Sequence, residues 1–298
     1  MDRVLTSTTA QLFVQFSSDE AAVDTDNQTA TVTVTGIDGA AIAADAATTR
    51  ISAGYFRYNL PAQTRPQPLT LSWKGTIGGT VTTVRTHAEV VGSRAFSIAE
   101  ARASDNILAD SSKFTRAQVE QARAQVEDEF QRILSRSLIV RGGATKTTGD
   151  GTSLLRVDHL GISQIRAVSI DGIALGSTDL ADLRLRGMGN IIERRSSVWT
   201  CDADVVIYYD YGGFVEETSL AAVEPQLPED LKEAALLRLR SKLVKSNSGI
   251  PDRATSMQLP EGGSFQLATA GRRGFSTGIP DVDAVLDRYN DTALAGFA

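Results

Sequence analysis

The chain has 298 residues, enough for about two ordinary domains, with 42% hydrophobic and 22% charged residues, which excludes a disordered chain. A formal net charge of −6 argues against a strongly basic nucleic-acid binder, and the single cysteine, Cys201, excludes an internal disulfide and a cysteine-built zinc site. No charged segment followed by an apolar core opens the chain, and no apolar run is long enough to span a bilayer, so a cytoplasmic product with no membrane contact is expected.

Residues 1–92 read as strands. Leu12, Val14 and Phe16 alternate with Phe13 and Gln15, and Ala30, Val32 and Val34 alternate with threonines in "TATVTVTG". Phe56, Tyr58 and Leu60 follow, then Leu69, Leu71 and Trp73, then Val84, Ala88 and Val90. Turn signals at Asp38-Gly39, Pro61 to Pro68 and Gly78-Gly79 separate the runs. Short alternating strands at this spacing predict an immunoglobulin-like β-sandwich without its disulfide.

The composition changes at Gly92. Ser97 and Glu100 form a capping box, and Thr115 with Gln118 forms a second. The helix after it, about 116–136, carries Val119, Ala122, Val126, Phe130 and Ile133 on one face. Arg116/Glu120, Arg123/Glu127 and Asp128/Arg132 sit at i,i+4 around the other. The consecutive carboxylates Glu127, Asp128 and Glu129 spread around the cylinder and read as a solvated face.

Residues 137–212 turn to strand again, as a small β-region between helices. "SLIVR", "IRAVSIDGIAL" with its Asp171-Gly172 turn, and "VVIYYDY" are its strands. Gly142 to Ser153 reads as a flexible glycine-rich loop; no Gly-Lys-Ser/Thr step follows, so it is not a phosphate-binding loop. A helix runs from Pro228 to about Val244 with Leu231, Ala235, Leu239 and Leu243 as its stripe. Residues 246–278 lack helical periodicity and read as an arm, with Met257 and Leu259 placed to pair with Phe265 and Leu267 in a hairpin. Near the end, Val282, Val285, Leu286 and Tyr289 repeat at i, i+3, i+4, i+7, with Pro280 suited to the first helical position.

Catalytic chemistry has little support. His87 and His159 lie far apart and read as solvated, Cys201 reads as a half-buried small residue, and no spacing predicts a metal site or a cofactor. The terminal helix is the one feature hard to explain as bland. About ten residues of helix do not stand alone in water, so its apolar face must be buried on something. The expectation is a plug that docks on a neighbour through Ile279, Val282, Val285, Leu286 and Tyr289, with Arg272 and Arg273 as charge anchors. On that reading Leu286→Asp weakens docking and leaves the monomer's melting temperature nearly unaltered.

Three stretches then carry a resemblance. They are "FTRAQVEQARAQVEDEFQRILSRSLIVR" (114–141), "LPEDLKEAALLRLRSKLV" (227–244), and the block 250–289 with "IPDRATSM", "GRRG" and "GIPDVDAVLDRY". Together they resemble the head-tail adaptor, or connector, proteins of long-tailed phages that infect actinobacteria. Phe114-Thr115 stands where that family would have a Tyr-Pro pair. The resemblance implies a multidomain α+β chain: an immunoglobulin-like β-sandwich (1–92), a helical connector domain (93–245) with a β-insertion at about 137–212, and a C-terminal arm (246–298). It also implies a job. Protomers form a ring, commonly dodecameric, under the portal protein at the virion neck. The ring meets a tail-side neck or tail terminator protein, and genomic DNA passes through it without sequence-specific binding. The alternative from the residues is a surface or glycan-binding module carried by the N-terminal β-region.

Overall fold

The computed structural model describes residues 2–18, 21–186, 190–213, 227–246, 256–258, 264–266 and 276–294. The chain opens with ten strands: β1 (Asp2–Leu5), β2 (Ala10–Gln15), β3 (Ser17–Ser18), β4 (Ala21–Ala22), β5 (Thr31–Thr35), β6 (Ala41–Ala47), β7 (Thr49–Ser52), β8 (Tyr55–Leu60), β9 (Gln67–Ile77) and β10 (Thr80–Val91). Helices α1 (Ile98–Ala103) and α2 (Arg116–Leu134) follow. Then come β11 (Arg141–Thr148), β12 (Leu154–Arg156), β13 (Ile162–Ile170), β14 (Ile173–Ala174), α3 (Ser177–Ala181), β15 (Leu183–Arg186), β16 (Ile191–Arg194) and β17 (Asp204–Tyr211). Helix α4 (Glu229–Ser246), the strands β18 (Ser256–Gln258) and β19 (Ser264–Gln266), and α5 (Pro280–Leu294) complete the order.

The expected fold class is corrected. The chain is mostly β, and its frame is one large curled sheet rather than a sandwich followed by a helical connector domain with a small β-insertion. Its strand order is β14-β13-β17-β11-β10-β9-β5-β6, antiparallel throughout, with β1 added in parallel to the end of β10. The sheet therefore runs through both parts of the sequence that the composition change at Gly92 separates. The joint is narrow: β10 meets β11 through the pair Val91 and Arg141.

Local chemistry explains the strands. At Gly78-Gly79 both φ angles are positive, the two-residue turn whose twist suits a hairpin, so β9 and β10 pair from Ile77↔Thr80 to Gln67↔Val90 without a break. Leu69, Leu71 and Trp73 of β9 and Val32 and Val34 of β5 point to one side and are almost fully buried. A three-stranded sheet, β2-β8-β7, contributes Leu12, Val14, Phe56 and Leu60 to the same core. The Trp73 indole N–H, buried with its ring, donates to Thr86 Oγ1 at 2.8 Å.

Two expectations in 137–153 fail for related reasons. "SLIV" is not a strand but a buried irregular segment, in which Leu138 and Ile139 fill the helical core. Of the flexible loop predicted from Gly142 to Ser153, residues 142–148 belong to strand β11, paired along its whole length with β17, and only 149–153 lie outside a strand. Gly142 is there because the chain passes close: a Cβ would lie 2.0 Å from the Pro66 carbonyl oxygen. A second core, under β13 and β17, holds Trp199, Ile192, Val205, Ile207 and Tyr209.

Helices α2, α4 and α5 pack together over a third core. Both capping boxes form as read, Ser97 with Glu100 and Thr115 with Gln118. The stripe of α2 (Val119, Ala122, Val126, Phe130) and that of α4 (Leu231, Ala235, Leu239, Leu243) face each other. Strands β18 and β19 pair as a short hairpin with Met257 opposite Phe265; Leu259 and Leu267 lie outside the described residues. No helix among the described residues is long and apolar enough to cross a membrane.

Candidate assembly site

The residues assigned to a docking plug divide three ways. Arg272 and Arg273 lie outside the described residues. Val282 and Leu286 are 0% and 1% exposed, inside the core that α5 shares with α2 and α4 of the same chain. Ile279, Val285 and Tyr289 are half-buried against that core. The helical period is as predicted, but its occupant is corrected. The apolar face finds its burial intramolecularly, so these side chains do not form a free plug. The reason is geometric: α2 and α4 leave a groove between their stripes, and a third amphipathic helix closes it.

Polar clamps at both ends of α5 reinforce the packing. At its start, Asp283 reaches back, accepting from the Thr277 backbone N–H at 2.7 Å, its hydroxyl at 2.8 Å and the Gly278 N–H at 3.2 Å. Asp283 and Thr277 are each 2% exposed. Arg238 of α4 donates to the Thr277 carbonyl at 3.1 Å and grips both oxygens of Glu129 on α2, at 3.0 and 2.6 Å. Lys242 adds a contact to Glu129 at 3.1 Å. Burial alone would raise the Glu129 carboxyl; Arg238 and Lys242 outweigh it and hold the group below its ordinary value. Further along, Tyr289 donates to Asp230 at 2.7 Å and Arg288 pairs with the same carboxylate at 3.2 Å.

The solvated carboxylate face of α2 is also corrected. Glu127 is 2% exposed, Glu129 anchors Arg238, and only Asp128 remains open to water. Glu127 accepts from Arg3 of β1 at 2.5 Å and from the Ala95 N–H at 3.0 Å. Arg3 also binds Glu89 of β10 at 3.2 Å, Asp128, and the Ala124 carbonyl at 3.1 Å. Arg141 of β11 completes the knot on Glu89 at 2.9 Å and Asp128 at 3.0 Å. This network spans β1, β10, β11 and α2 at the narrow joint of the sheet. Burial would lower the Arg3 guanidinium, but Glu127, Asp128 and Glu89 together hold it above its usual value. Spacing along α2 gave Arg123/Glu127 as a surface pair; both are buried, 4.0 Å apart, and Arg123 donates to the Phe96 carbonyl at 3.0 Å. Arg116/Glu120 forms at the surface as read, at 2.9 Å.

His159 is not the solvated histidine expected. Its Nδ1 is 2.7 Å from the Tyr209 hydroxyl, which is 2.8 Å from Thr145 Oγ1, which in turn donates to Asp158 at 2.9 Å. The ring stacks on Tyr211 at 3.9 Å. Burial lowers the imidazole and raises the Tyr209 hydroxyl to about 12. Hydrogen-bond counting sets the tautomer: Thr145 gives its proton to Asp158, so Tyr209 donates to Thr145 and His159 Nδ1–H donates to Tyr209. Cys201, expected half-buried, is exposed. Among the described residues no group of three or more histidine, cysteine or carboxylate side chains is arranged to hold a metal.

No protein-family model matches the chain, and no curated protein does. Among solved structures, a chain of the neck of an empty gene transfer agent particle, a phage-like particle computed with C6 symmetry, is a structural neighbour. It aligns at 15% identity and a TM-score of 0.39, covering 65% of this chain and 88% of that one, and a likeness at that level assigns no function.

Proposed function

We propose that this chain is a structural virion protein, a ring-forming adaptor below the portal that joins capsid to tail and extends the DNA channel, with no catalysis of its own. The observation that carries the reading is a convergence. The stretches 114–141, 227–244 and 250–289, which carry the resemblance to head-tail adaptors, are remote in sequence. Their helices α2, α4 and α5 share one core and are tied by Arg238 to both Glu129 and the entry of α5. The helices of the three stretches thus belong to one physical unit. The net charge of −6 suits a channel through which DNA must slide, because lysines placed to bind phosphate would hold it. The partners in this reading are the portal protein, a tail-side neck or tail terminator protein, and further copies of the chain, as a dodecamer where the portal is twelvefold.

Electron microscopy of the purified chain with and without its cognate portal tests this. Rings stacked on the portal are expected; a chain that stays monomeric and unbound beside an assembled portal overturns the reading. A second reading has one observation in its favour. Phe13, 37% exposed, stacks on Tyr55 at 5.6 Å on the outer side of the β2-β8-β7 sheet, an aromatic surface of the kind glycan-binding modules use. Glycan-array binding by the full chain, lost in Phe13→Ala, would favour it.

A further inference from the structure

An open cleft of about 760 Å³ lies where the segment before α1 meets the first turns of α2 and α4. Its charged lining is Arg94, Arg102, Arg116 and Lys232 against Glu100 and Glu229. Lys232 is engaged by both carboxylates, at 2.5 and 3.7 Å, and Arg116 by Glu120. Arg94 and Arg102 have no carboxylate partner among the described residues. Each donates one bond to a backbone carbonyl, of Arg3 at 3.2 Å and of Phe114 at 3.4 Å, and each has an Nε shielded from water with no acceptor. Two half-buried guanidiniums with no carboxylate paired to them among the described residues mark a place for an anionic partner.

The same molecule carries a matching surface. With Val282, Leu286 and Tyr289 turned inward, α5 presents Asp281, Ala284, Asp287 and Arg288 to solvent, and Arg288 is engaged by Asp230 of its own chain at 3.2 Å, which leaves the two carboxylates as the strip's unspent charge. The small Ala284 lets the strip approach a surface closely, with a carboxylate on either side. This strip cannot fill the cleft of its own chain. Helix α5 meets α4 through Asp230, whereas the cleft is lined by Glu229 and Lys232, which lie about 100° and 160° around the helix from Asp230.

We infer that the Arg94/Arg102 cleft of one protomer receives the Asp281–Asp287 strip of α5 from a second copy of the chain. The contact joins different surfaces on the two copies. Repeated, it closes into a ring or runs on as a filament. The inference rests on the ring reading above and supplies its subunit contact. Charge steering of this kind acts on register and association rate and weakens with salt.

The test is the oligomeric state of the full chain, by sedimentation velocity and native mass spectrometry. Arg94→Glu/Arg102→Glu and Asp281→Arg/Asp287→Arg should each weaken self-association at least tenfold, and mixing the two variants should restore it, since each supplies the surface the other has lost. Arg116→Glu, on an exposed side chain, should weaken it less and leave folding intact. Assembly that survives both reversals overturns this contact while leaving the ring reading standing. The contact is also overturned if the cleft reversals lower the melting temperature of a monomer and mixing restores nothing, because the cleft is then occupied from within its own chain. Absence of any ring with wild-type chain and portal present would instead overturn the ring reading.

Discussion

Truncation of Leu286 to alanine is the sharpest probe of how the chain ends. The side chain is 1% exposed and lies beside Val282, 0% exposed, in the groove between α2 and α4. Removing its three outer carbons loses about 2 kcal/mol of transfer free energy, at ~0.8 kcal/mol per methylene. The cavity adds about 24 cal/mol per Å³ left unfilled, so the total should be about 3 kcal/mol, within the range of about 2–5 for buried leucines. There is a ceiling. Helix α5 is held by its packing on α2 and α4, so the loss cannot exceed the free energy with which it docks there; beyond that, the helix detaches and the rest stays folded. The assay is therefore hydrogen exchange of the α5 amides beside urea unfolding of the whole chain. Protection across 282–290 should fall by about a hundredfold, the equivalent of about 3 kcal/mol. Leu286→Asp should go further, because it buries a carboxylate without a partner. Unchanged protection and an unchanged midpoint in Leu286→Ala would mean that α5 is covered by something other than its own chain, and the intramolecular packing would be wrong.

Three further outcomes follow from the polar clamps and the joint of the sheet. Arg238→Ala leaves Glu129, 15% exposed, to Lys242 alone and removes the donor to the Thr277 carbonyl, and should cost about 2 kcal/mol in chemical denaturation; a loss below about 1 kcal/mol would show the clamp to be dispensable. Glu100 is pulled down to about 2 by Lys232 and by the Ser97 cap, and Asp24 to about 2 by Arg50 and the Gly54 N–H. A depressed carboxylate stabilises above its unfolded value and loses that contribution as pH falls toward its folded value. Urea midpoints should therefore drop between about pH 4.5 and 2, and Asp24→Asn/Glu100→Gln should flatten that slope; identical slopes would refute the assignment. Gly142→Ala sets a methyl group against the Pro66 carbonyl and should cost about 2 kcal/mol or more, read as a lowered thermal midpoint, whereas a neutral result would deny the close approach.

What the sequence disclosed depended on whether a residue's role was written in its own neighbourhood. Caps are local, so both capping boxes were legible, and so were the alternating runs from Leu12 to Val90 and the stripes of α2 and α4. The Asp171-Gly172 turn was legible too. Strand β11 was not, because Gly142 answers to Pro66, some 75 residues upstream, and Gly143 to the rings of Tyr209 and Tyr211 downstream, so the pair looks from within like a flexible loop. Missing β11 hid the continuity of the sheet. The chain then divided at Gly92 into a sandwich and a helical part, although β10 and β11 join across that point.

The carboxylates of α2 make the same point about the site. Helical angles alone place Glu127, Asp128 and Glu129 around the cylinder, and that much is correct. What those angles cannot supply is the other side of each contact: Arg3 from the first strand, Arg141 from the eleventh, Arg238 from α4. The same gap misdirected the reading of α5. Its period shows that a face must be buried but carries no information on whether the cover is this chain or another. The structure answers from the partner side, through the groove of α2 and α4 and the clamp of Arg238. Once that face is spent within the fold, a bond between protomers made by α5 has to use its outer strip. That strip is charged rather than apolar, which makes salt the variable to watch: assembly built on it should weaken as ionic strength rises, whereas an exchanged hydrophobic plug would hold or tighten.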